Sequence, residues 1–87
     1  NLGQYERAIQ DFDEAIRLDP QDADAYYSRG EAYGDLGQWE RAMADHDEAI
    51  RLKPHFAMAH SRRGAAYQAI GWSAEAARNF AKAKELP

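Results

Sequence analysis

The stretch DEAIRLDP at residues 13–20 returns as DEAIRLKP at residues 47–54, with only Asp19 exchanged for Lys53. The offset is 34 residues, and it reaches beyond the octet: residues 1–34 laid on 35–68 match at 20 of 34 positions. The matches include Leu2/Leu36, Gly3/Gly37, Ala8/Ala42, Asp11/Asp45, Pro20/Pro54, Arg29/Arg63, Gly30/Gly64 and Tyr33/Tyr67. A looser third copy keeps Gly71, Ala76, Ala83 and Leu86 in phase with Gly37, Ala42, Ala49 and Leu52. A fixed period of this size means stacked supersecondary units, each burying its apolar face on the next.

Inside the period, apolar residues recur every three or four positions. Tyr5, Ala8, Ile9, Phe12, Ala15 and Ile16 share one helical face, as do Trp39, Ala42, Met43, His46, Ala49 and Ile50. Tyr26, Tyr27, Gly30 and Tyr33 form the face of a second helix type. Pro20 and Pro54 follow Leu18 and Leu52 by two residues and cannot continue a helix, while Gly37 and Gly71 sit where a short turn needs positive φ. The pattern predicts helices over about 4–18, 23–36, 39–52, 56–70 and 73–86, with no strand. Such short loops make sequential helices antiparallel. The expected fold class is therefore all-α, a right-handed α-solenoid of helix hairpins with about two and a half repeats. Its parts are the second helix of a truncated repeat (1–20), a complete repeat (21–54) and a third repeat (55–87).

Composition narrows the function. Of 87 residues, 11 are Lys or Arg and 15 are Asp or Glu, a net charge of −4 that disfavours nucleic acid and anionic membranes as partners. The absence of cysteine removes disulfides, a thiolate nucleophile and Cys-based zinc sites. No run approaches the roughly 18 apolar residues of a membrane span, and the start lacks a signal-peptide pattern, so a soluble, cytoplasmic chain is expected. It opens mid-pattern without Met, which reads as a piece of a longer protein. His46, His55 and His60 lack the spacing of a metal site. The acidic run 19–24 lacks the Gly and closing Glu of a calcium loop, and Asp22 reads instead as a helix N-cap. Isolated serines, no phosphate loop and no forced carboxylate pair give no catalytic site. No enzyme activity and no cofactor are expected.

The spacing Tyr26-x2-Arg29-Gly30-x2-Tyr33, then Ala42-x3-His46, Ala49 and Pro54, resembles the tetratricopeptide repeat. The pattern recurs as His60-x2-Arg63-Gly64-x2-Tyr67 with Ala76-x3-Phe80 and Ala83, and its second half appears as Ala8-x3-Phe12, Ala15 and Pro20. Arg29 and Arg63 replace Leu, and His46 and His60 replace aromatics. The resemblance implies that 23–36 and 56–70 are A helices lining a concave groove, and the others B helices on the convex side. It also implies a scaffold for protein–protein interaction, with the groove taking a partner peptide or helix.

Carried onto this chain, the groove positions map to Asp24, Tyr27, Ser28, Glu31 and Asp35 on one helix and Met58, Ser61, Arg62, Ala65 and Gln68 on the next. A family subset clamps a C-terminal carboxylate with Lys, Asn and Arg. Here Ser28 and Met58 stand for Asn and Lys, and only Arg62 agrees. Arg29 and Arg63, one position before a close-packed Gly, require carboxylate partners. The period suggests the pairs Asp11–Arg29 and Asp45–Arg63. The rival function is self-assembly into a homo-oligomer through open stacking edges, Ile9, Phe12 and Ile16 at one end and Ala77, Phe80 and Ala81 at the other. Charge favours a head-to-tail contact. Residues 1–34 carry eight acids against three arginines, and residues 56–87 five cations against two acids.

Overall fold

A computed structural model describes residues 2–87 and contains five helices: α1 (Leu2–Leu18), α2 (Ala23–Asp35), α3 (Trp39–Leu52), α4 (Ala57–Ala69) and α5 (Ser73–Glu85). No strand occurs among the described residues. Each helix packs on the next, and α2 also meets α4 across α3, as in a helical-repeat solenoid.

Local chemistry sets the boundaries. Asp22 caps α2 by accepting the Ala25 N–H at 3.2 Å, which satisfies one donor the first turn leaves over. At the other end Gly37 adopts φ 75°, where its N–H donates to the Gly34 carbonyl at 2.9 Å and the Gln38 N–H to the Tyr33 carbonyl at 2.9 Å. The same pair of bonds recurs one period on: Gly71 (φ 90°) donates to Gln68, and Trp72 to Tyr67 at 2.8 Å. This is a Schellman closure, and its apolar contact is present, because Tyr67 and Trp72 stack with centroids 5.7 Å apart.

Small residues hold the layers together. Ala42, Ala49, Ala59, Ala66 and Ala76 are all but inaccessible, whereas among the described residues no large side chain is fully buried. Gly30 lies beneath the His46 ring, where an added Cβ would come within 2.7 Å of Cε1, and Gly64 lies beneath Phe80, where it would come within 2.9 Å. Close helix approach therefore depends on the missing Cβ. Phe80 packs on Gly64 of α4 and stays half-buried at the end of the stack. Ala77 and Ala81 are exposed there, while Ile9, Phe12 and Ile16 are half-buried on α1, a helix with no buried residue.

The arginine pairs differ from those expected. Arg29 donates from Nε and Nη2 to the two oxygens of Asp45 (2.9 and 2.7 Å) and from Nη1 to Asp13 at 2.8 Å. Arg63 donates to Asn79 Oδ1 at 2.8 Å and to Asp47 at 2.6 Å. Asp11 is exposed, and Asp45 faces α2 rather than α4. The cause is azimuth: two residues apart on a helix is about 200° around it, so Asp45 and Asp47 address opposite neighbours. Asp11 stands in the same relation to Asp13.

Candidate functional site

The side chains between α2 and α4, over α3, enclose a cleft of about 100 Å³. Its α2 wall is Gly30, Glu31, Gly34 and Asp35; Arg62 and Ala65 of α4 face it, and Trp39, Ala42 and His46 of α3 form its floor. The repeat builds this hollow by placing glycine and alanine where larger residues would fill it. Arg62 Nε lies 3.3 Å from Glu31 and 3.5 Å from the Tyr27 hydroxyl, so the two walls are tied across the opening. The Tyr27 hydroxyl, with Glu31 and Asp35 nearby, raises the guanidinium's pKa. With its side chain 55% exposed, Arg62 stays largely in reach of solvent.

His46 is buried in the floor, ring against Tyr27 (centroids 5.6 Å apart), with Nδ1 enclosed and unpartnered. Burial, with the Arg62 charge adding to it, pushes its pKa down to about 4, so the imidazole is neutral at ordinary pH.

Of the groove residues expected from the sequence, Glu31, Asp35, Arg62 and Ala65 line the cleft. Met58 is exposed, Ser28 and Ser61 are half-buried, and Asp24 lies at the far end of α2, 3.9 Å from Lys53. Tyr27 is the exception. Only 6% exposed, its ring packs between His46 and Phe56, and the hydroxyl alone reaches toward the groove. It is a core residue. Trp39 and Gly34, which were not among the mapped positions, also line the cleft. Trp39 was legible only as an apolar-face residue, because its contact with Gly34 depends on the turn at Gly37 folding α3 back on α2. Among the described residues no helix is long and apolar enough to cross a membrane.

Antiparallel helices, glycine-mediated close packing and a cleft between α2 and α4 over α3 define a helical-repeat protein-interaction module. Two family signatures match the chain, one described as "TPR repeat" over residues 1–37 and one as "Tetratricopeptide repeat" over residues 23–56. The second TPR of Spaghetti (RPAP3), solved bound to the HSP90 peptide SRMEEVD, is 33% identical; the match covers 98% of this chain and 79% of that one, with a TM-score of 0.94. The first TPR of Spaghetti (RPAP3), bound to the same peptide, is 30% identical with a TM-score of 0.93, covering 95% of this chain and 66% of that one. MamA is 35% identical with a TM-score of 0.90, and the match takes in 94% of this chain. The chain spans 48% of the MamA chain's length. No curated protein sequence matches. The chain belongs to the tetratricopeptide repeat family.

Proposed function

We propose that the chain is a scaffold segment that takes a peptide or helix of a partner protein in the groove between α2 and α4. The observation that carries this reading is the cleft itself, an opening walled by Gly30, Gly34 and Ala65 with the Glu31–Arg62 pair at its mouth. The two Spaghetti domains solved with a peptide support the reading through their fold. The departures at Ser28 and Met58 argue that this groove does not read a terminal carboxylate as a clamp of Lys, Asn and Arg would. Exposed Met58 instead offers an adaptable apolar contact beside the charged mouth. The test is a partner captured with the full chain and remeasured on variants. Arg62→Ala and Glu31→Ala should each weaken binding by about 1–3 kcal/mol with helicity unchanged, while Glu48→Ala should not. Equal weakening by Glu48→Ala would remove the groove from the account.

A second reading, head-to-tail association of copies, rests on α1. It buries no residue, leaves Leu2 and Leu18 exposed, and belongs to the strongly acidic first third, whereas α5 bears Arg78, Lys82 and Lys84. Sedimentation that stays monomeric across concentrations would exclude it.

A further inference from the structure

A second hollow, of about 340 Å³, lies between α4 and α5 and shares no residue with the groove. His60 and Arg63 line it from α4, and Arg78, Asn79 and Lys82 from α5. One period earlier the same five places hold Tyr26, Arg29, Ala44, Asp45 and Glu48. The difference is electrostatic. Ala44 becomes Arg78, Asp45 becomes Asn79 and Glu48 becomes Lys82, which raises the formal charge of the niche by four.

The two arginines show what that exchange does. Arg29 places three of its five N–H donors, with both oxygens of Asp45 taking Nε and Nη2, and Asp13 taking Nη1. Arg63 keeps the counterparts of the first and third bonds, to Asn79 Oδ1 and Asp47. The counterpart of the Nη2 bond is lost, because Asn79 presents an amide there and turns its Nδ2 to the Glu75 carbonyl at 2.8 Å. An amide NH₂ donates and cannot accept. Arg63 thus makes one hydrogen bond fewer than Arg29, two against three, although its side chain is only 23% exposed and two further cations stand on the rim. Arg78, itself exposed, pairs with Glu75 three residues before it, a contact of small worth that a better acceptor displaces.

We infer that this hollow is an oxyanion site, in which Arg63, Arg78 and Lys82 receive a carboxylate or phosphate group that takes over the part Asp45 plays beside Arg29. The ligand is an acidic group on a partner polypeptide, a side-chain carboxylate or a phosphorylated side chain. Guanidinium groups favour both through paired, charge-assisted hydrogen bonds. The site stands independently of the groove and would let the chain hold a second partner segment.

NMR titration of the full chain at low salt tests it, with inorganic phosphate and with an acetylated tetraglutamate peptide as the two probes. Saturable shifts at Arg63, Arg78, Asn79 and Lys82 are expected. Saturation with tetraglutamate supports a carboxylate ligand, and saturation with phosphate alone a phosphorylated one. Asn79→Asp restores the internal carboxylate and should weaken either probe at least about tenfold, the loss of one charge-assisted hydrogen bond. Exposed Lys82→Glu should do the same, and decides the matter alone if Asn79→Asp fails to fold. Gln10→Glu, the same charge change on exposed α1, should leave binding intact. Shifts that never saturate, shifts that map elsewhere, or a loss in Gln10→Glu equal to that in Asn79→Asp would overturn the site.

Discussion

His46 occupies the position that Phe80 fills one period later, and both rings lie over a glycine of the preceding helix. The repeat accepts either ring, but only the imidazole carries a titration. Buried, it resists a proton until about pH 4, whereas in the unfolded chain it takes one near its ordinary value of 6.5. Between those values the unfolded state binds more protons, so stability is lost as pH falls from about 6.5 toward 4. Chemical denaturation at pH 7 and pH 5 should show a loss of about 2 kcal/mol that His46→Phe abolishes. An unchanged pH dependence in His46→Phe would place the sensitivity elsewhere. At this scale the sequence was legible in kind but not in direction. That Arg29 and Arg63 need acceptors followed from their position. Which acceptor depended on azimuth, and a 34-residue period shared by Asp11/Asp45 and Asp13/Asp47 offers no way to choose between them. Tyr27 was misplaced for a similar reason. It neighbours Tyr26 on the helix, and only the arrival of Phe56 from the α3–α4 connection decides that its ring is enclosed.

The helices themselves were readable, because each boundary is written in local chemistry: Asp22 before α2, Gly37 and Gly71 after α2 and α4, and prolines after α1 and α3. Predicted and observed ends differ by no more than two residues, as at α1, which starts at Leu2 rather than residue 4. The glycine turns also set geometry, since the left-handed residue folds α3 onto α2 and α5 onto α4, bringing His46 over Gly30 and Phe80 over Gly64. A Cβ at Gly37 or Gly71 would meet nothing within 4 Å, so substitution there isolates the backbone cost from any clash. Gly37→Ala and Gly71→Ala should each destabilise by about 1–2 kcal/mol in denaturant melts with the slope unchanged. A neutral result would mean the turn relaxes into another form without loosening the hairpin.

Across the whole molecule, burial is graded. α1 buries no residue and α5 only Ala76 and Asn79, while α2, α3 and α4 hold four buried residues each. In a solenoid each unit is supported by its neighbours alone, so a helix with one neighbour opens more cheaply than one with two. α1 presents half-buried Ile9, Phe12 and Ile16 and is bridged to α2 from Asp13 to Arg29. Asp13 is itself half-exposed, which leaves that bridge open to screening. Native-state hydrogen exchange should therefore resolve a gradient. Amides in the middle of α1 should exchange through local openings well below the global unfolding free energy. Those around Ala49, Ala59 and Ala66 should exchange only through global unfolding, and so should fall off linearly with denaturant. Added salt should speed α1 further without touching the centre, because screening reaches the exposed Asp13 bond more than the enclosed Arg29–Asp45 pair. If α1 and α3 instead showed one common opening free energy at low and high protein concentration alike, the five helices would form a single cooperative unit, and nearest-neighbour additivity would not describe this chain.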